Sequence, residues 1–187
     1  MGPRRVKQEG CRCGLRYNLI MEINRPAPDF ELPGLDGRFH SLSNYRGRIV
    51  VVNFWSADCP HVSRTDASML TALDRWGMQV VLLTVASNAN ESTEVLKNAS
   101  QSHGIPTVLI DAGHRVADVY EAQVTPEVFV MDREGIIRYR GALDDASFRQ
   151  RIPVRSYLVE AVEALLAGGL PAVAEVPAFG CSIIRET

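Results

Sequence analysis

The chain has 187 residues, 46% apolar and 22% charged, with 20 Lys and Arg against 22 Asp and Glu for a formal net charge of −2. That length suits one domain with a substantial core, and a near-neutral balance without single-sign blocks argues against nucleic acid or an anionic membrane as partner. No apolar run reaches the ~18 residues of a membrane span, and four cysteines are too few and too unevenly spaced for a disulfide scaffold.

The N-terminus is basic, and no apolar stretch of a secretory signal follows it, so the expected compartment is cytoplasmic. Residues 1–22 read as a flexible extension. Its Cys11-Arg12-Cys13 pair is followed by no second ligand pair at usable spacing, so no metal is expected there. The main domain is expected over residues 23–170, with a tail over 171–187.

Arg25 to Phe30 is an extended lead-in, because a residue preceding proline is pushed away from helix. Phe30–Leu32 and Arg38–Leu42 read as two short strands around the turn at residues 33–37. Ile49–Phe54 is almost entirely β-branched or aromatic, as a strand covered on both faces should be. A helix over Pro60–Trp76 follows, with Val62, Met69, Leu70, Leu73 and Trp76 on one face and Gly77 at its end. Gln79–Ala86 is a second apolar strand, Asn90–Ser102 a polar helix capped by Asn90, and Thr107–Ile110 a third strand. Val116–Glu121 makes one or two helical turns. Glu127–Asp132 and Ile136–Arg140 form a hairpin, and Pro153–Ala167 an amphipathic helix. The Gly- and Pro-punctuated tail ends in Phe179-Gly180-Cys181-Ser182-Ile183-Ile184. Strand–helix–strand alternation followed by a hairpin and helix predicts an α/β fold, a central mixed sheet flanked by helices.

The stretch with the clearest chemistry is Ile49–Arg64. Its strand delivers Cys59 to a helix start, where Asp58 suits the N-cap and Pro60 the first helical position. Free amides and the positive end of the helix dipole favour a thiolate there, and the thiolate is the nucleophile.

Asn53-Phe54-Trp55-Ser56 followed by Cys59-Pro60 resembles the active-site strand and helix of the thioredoxin-like superfamily, nearest to its redoxin branch, the AhpC/TSA or peroxiredoxin-like proteins. Val124–Asp132 resembles the segment that carries that fold's cis-proline, here Thr125-Pro126. The likeness covers roughly residues 26–168 and implies a thioredoxin-like fold with an N-terminal β-hairpin extension. A cis-proline opposite the nucleophile would expose the preceding residue's backbone to a bound peptide or thiol.

The sequence departs from each branch of the superfamily. Val62 stands where C-x-x-C oxidoreductases place their second cysteine, so a mixed disulfide has no local resolving partner. Against the P-x-x-x-T-x-x-C pattern of peroxiredoxins, Ser56 supplies the hydroxyl, Val52 replaces the proline, and Pro126 occupies the arginine position. Arg64 is either a partial substitute or a surface residue. His61 is either a partner of the thiolate or a solvent-facing helix residue. Asn53 sits where thioredoxins bury an acid, and Trp55 matches their active-site tryptophan or is simply a core aromatic. Asp144-Asp145 reads as a turn and cap.

Some redoxin-like proteins with a lone C-P-x-V site also end in a similar G-C-x-I segment. That likeness makes Cys181 a resolving thiol if the tail folds back; a buried small residue or a free end are the alternatives. The site residues expected are thus Cys59, Ser56, Thr125, Pro126 and Cys181. The reading is a thiol-based oxidoreductase, an antioxidant peroxidase or thiol–disulfide exchanger, acting on a peroxide or disulfide with an external thioredoxin-like thiol as reductant. No cofactor or metal is implied. The alternative is a non-catalytic binding module that has kept the fold.

Overall fold

The computed structural model describes residues 21–147 and 149–186. The extension with Cys11 and Cys13 lies outside the described residues, except that Met21 is already 2% exposed in the core.

Two short strands, β1 (Glu31–Pro33) and β2 (Phe39–Ser41), pair antiparallel as the N-terminal hairpin. The centre is a six-stranded mixed sheet. It comprises β3 (Ile49–Trp55), β4 (Val80–Ala86), β5 (Val108–Ile110), β7 (Glu127–Met131), β8 (Ile137–Gly141) and β9 (Glu175–Val176). Their spatial order is β5-β4-β3-β7-β8-β9. β3 runs parallel to β4 and antiparallel to β7. Four helices complete the fold: α1 (Pro60–Trp76), α2 (Thr93–His103), α3 (Arg115–Val119) and α4 (Tyr157–Leu166). Outside the main sheet, β6 (Val124–Thr125) pairs with β10 (Cys181–Ser182).

β3 is buried at all seven positions, because both faces of the sheet are covered. Its period of two divides the side chains. Val50, Val52 and Phe54 join one core with α3 and the N-terminal segment, whereas Ile49 and Val51 join another with α1 and α4. Phe54, Tyr120 and Phe129 interlock edge-on or tilted in the first core, at centroid distances of 5.2–5.9 Å. Each such side chain contributes about 1.5–3 kcal/mol through burial. A third cluster of Trp55, Cys59, Val62, Leu96 and Ile105 lies where α1 and α2 meet the end of β3.

The N-cap of α1 and the starts of α2 and α4 differ from the sequence reading. The cap residue of α1 is Cys59 rather than Asp58, and no side chain caps that end. Asp58 instead gives its backbone N–H to Glu91. α2 begins at Thr93, not Asn90. Ser92 Oγ accepts the Val95 amide, while Glu91 is committed to the loop before Cys59. α4 begins at Tyr157 under a Ser156 cap, because the Asp145 carboxylate takes the Val154 and Arg155 amides and holds that segment out of the helix.

The tail does not hang free. After β9 it crosses to β6, and Ile183 is buried.

Candidate active site

β3 ends at Trp55, and residues 56–58 turn the chain so that Cys59 opens α1. Glu91 pins this turn: one carboxylate oxygen, Oε1, accepts the Ser56 hydroxyl at 2.6 Å and the Asp58 amide at 3.2 Å. Ser56 is therefore buried and engaged with Glu91.

Thr125 and Pro126 face the start of α1 through a cis peptide bond. The Cys59 thiol, 3% exposed, donates to the Thr125 carbonyl oxygen at 3.1 Å. Cys181 lies directly opposite Thr125 in the β6–β10 pair, and its sulfur is 3.0 Å from that of Cys59. Both cysteines are free thiols, Cys59 buried and Cys181 partly exposed. Burial pushes the Cys181 thiol up to about 11, and its hydrogen bond to Cys59 and the charge of that group push the same way. Cys181 is accordingly protonated near neutral pH.

Close approach of the tail depends on Gly180. A β-carbon there would lie 2.0 Å from the Thr125 carbonyl oxygen, far inside contact distance. The G-C pair in the sequence was the signal for this contact, and its backbone reason is visible only in the fold.

Cys59, Thr125, Pro126 and Cys181 are thus brought together, with Ser56 in the turn that leads to them. The other candidates are placed elsewhere. Arg64 forms a bidentate ion pair with Asp144, whose side chain is 10% exposed. His61 meets the ring of Phe179 edge-on at 5.0 Å. Asp144 also accepts the Ala146 amide, and Asp145 the Val154 amide, so the pair serves the turn. Asn53 is fully buried, and its amide finds no partner among the described residues.

Two acidic residues near the site were missed by sequence reasoning. Glu91 follows an Asn-rich loop and carries no local mark of its role. Asp66, on the inner face of α1, accepts the Trp55 indole N–H at 3.1 Å and sits 2.7 Å from His103 Nδ1. Burial raises its carboxyl, and those two hydrogen bonds oppose the rise. A charged residue in the apolar stripe of α1 was the available signal. Among the described residues no His, Cys, Asp and Glu side chains cluster as a metal site, and no helix is long and apolar enough to cross a membrane.

A buried strand that hands a cysteine to a helix N-terminus, opposite a cis Thr-Pro bond on a mixed sheet, defines a thioredoxin-like protein. Within that class the chain belongs to the AhpC/TSA family, whose model matches residues 23–140. Cys181 lies beyond the matched residues. The chain is 29% identical over 117 residues to the thiol-disulfide oxidoreductase ResA of Geobacillus thermodenitrificans, a match spanning 62% of this chain and 67% of that protein. It is 30% identical over 125 residues to the thiol:disulfide interchange protein DsbE of Escherichia coli K12, spanning 65% and 66% respectively. Among solved structures, a hypothetical protein from Sinorhizobium meliloti 1021 superposes with a TM-score of 0.80 at 29% identity, covering 90% of this chain and 97% of that one.

Proposed function

We propose that the protein is a thiol–disulfide oxidoreductase whose redox pair is Cys59 and Cys181. The observation that carries this reading is the 3.0 Å approach of the two sulfurs across the Thr125-Pro126 turn. A disulfide needs ~2.05 Å between sulfurs, so a shift of about 1 Å joins them.

Cys59 attacks a disulfide substrate as the thiolate, forming a Cys59–substrate mixed disulfide and expelling one substrate thiolate. Cys181 then attacks the Cys59 sulfur. Its proton passes to the departing second thiolate, and the products are a Cys59–Cys181 disulfide and two reduced thiols. An external thioredoxin-like dithiol restores the pair. Cys181 does at a distance what the second cysteine of C-x-x-C does locally, which accounts for Val62 in that position. The names of the curated relatives support this chemistry. Disulfide exchange is favoured over peroxide reduction by two contacts. Arg64 is committed to Asp144, and the Ser56 hydroxyl to Glu91, so neither supports a peroxide oxygen.

The test is peptide mapping without reductant after one equivalent of a disulfide oxidant. A Cys59–Cys181 linked peptide is expected, with Cys181→Ser giving a trapped mixed disulfide at Cys59 and Cys59→Ser giving neither. Recovery of only free thiols from the wild-type chain would refute the pairing.

A further inference from the structure

We propose that the tail acts as a built-in substrate strand, which makes the site selective for small disulfides over disulfides carried on extended polypeptide. This rests on Cys59 being the nucleophile, as argued above.

The edge of β6 is where an added strand would bind beside Cys59, through main-chain hydrogen bonds. In this structure the chain's own tail is that strand. Cys181 pairs with Thr125 and Ser182 with Val124, antiparallel, and Gly180 packs against the Thr125 carbonyl. Cys181 stands where the cysteine of a bound peptide would meet Cys59.

The strap is held on both sides of this point. Upstream, β9 pairs with β8 as the edge strand of the main sheet, and Phe179 packs on His61. Downstream, the Ile183 amide binds the Gln123 carbonyl, the Ile184 amide binds Asn88 Oδ1, and the Ala89 amide binds the Ile184 carbonyl. Arg185 bridges to Asp118 and to the Ala122 carbonyl, and the Glu186 amide reaches His114 Nε2.

An extended segment can take the β6 edge only after these contacts are broken together. A small disulfide needs only a local displacement at Gly180–Cys181, both partly exposed. It also has a place to approach from. A cleft of about 340 Å³ lies between the start of α1 and the strap, lined by Pro60, His61, Arg64, Ser147, Arg151 and Phe179. That volume lies in the range of small-molecule pockets, and Pro60 and Phe179 place it next to the segments that carry the two sulfurs.

The experiment removes resolution and reads only the first attack. In a Cys181→Ser background, mixed-disulfide formation at Cys59 is timed by mass spectrometry with bis-hydroxyethyl disulfide and with the disulfide-linked dimer of a ten-residue unstructured peptide. The small probe should react faster. Adding Gly180→Val, which drives a side chain into the Thr125 carbonyl, should narrow the preference by about tenfold or more, as expected when several strand contacts are lost. The smaller Gly180→Ala, whose β-carbon already falls 2.0 Å from the Thr125 carbonyl oxygen, provides the same comparison in the full chain if the valine variant does not fold. Equal rates for both probes with the strap in place, or a preference unchanged once hydrogen exchange shows the strap released, would overturn the selectivity. Reaction of neither probe in any variant would instead overturn Cys59 as nucleophile.

Discussion

Cys59 and Cys181 are separated by 122 residues and their sulfurs by 3.0 Å. The contact is made by two different kinds of local structure. One sulfur belongs to the residue that opens a helix at the end of a buried strand, and the other is carried on a two-residue strand laid against Thr125. It converts a site that lacks a neighbouring second cysteine into one with a partner in place.

Replacing Cys181 with Ser should stop turnover at the mixed disulfide. Resolution would then depend on an encounter with an external thiol rather than on one already in contact, so steady-state disulfide reduction should fall by on the order of 10²-fold or more. The initial attack by Cys59 should persist. A stopped-flow burst of one equivalent followed by a slow phase is the expected record.

The elevated Cys181 thiol predicts a dependence of stability on pH. Its proton is held more tightly in the folded chain, with the value raised from 9.0 to about 11. Its contribution is therefore complete below about pH 9 and is lost as pH rises through about 11. Chemical denaturation across that window should show stability falling, and Cys181→Ser should flatten the fall. Cys59→Ser should lower the Cys181 value, because two of its causes come from Cys59. The alkylation rate of Cys181 against pH measures this directly.

Asp66 provides a second linkage of the same sign at lower pH. Burial raises its carboxyl above 3.8, so its contribution is present below that value and declines as pH rises through the raised one. Asp66→Asn keeps an acceptor for the Trp55 indole and should hold wild-type stability at neutral pH within about 1 kcal/mol, with the acid-side slope reduced. Asp66→Ala leaves that indole unpaired in the core and should cost about 1–3 kcal/mol. Urea titrations of both variants at pH 4 and pH 7 separate the two effects.

Glu91 should prove to be a positioning residue for the nucleophile. Glu91→Ala releases the Ser56 hydroxyl and the Asp58 amide and is expected to cost about 1–3 kcal/mol of stability. It should also slow attack by Cys59, whereas Glu91→Gln, which retains an acceptor oxygen, should recover most of both. Mixed-disulfide rates measured beside thermal unfolding would show whether the rate moves apart from stability.

The sequence by itself determined the elements whose signals are local. The run Ile49–Phe54 read as a strand buried on both faces, and β3 is that strand. Pro60 and Gly77 marked the ends of α1, and Cys59 was placed at its start. Thr125-Pro126 matched a cis-proline segment, and the bond is cis. The strand and the helix follow from side-chain period and backbone restriction, which neighbouring residues settle among themselves; the cis bond was implied by the family resemblance and not by its neighbours. The tertiary structure decided what depends on partners remote in sequence. Asn90 made a reasonable cap until Glu91 was needed by the Ser56 turn. Ser56 offered its hydroxyl to the sulfur by motif, and Glu91 takes it. Cys181 had three open readings, and it lies against Cys59 because the β6 edge was free to pair and Gly180 allowed the backbone to come close. Closing a loop of that length costs entropy that no short motif records; it is offset by the buried Ile183 and the strap's hydrogen bonds, which exist only once the sheet has formed.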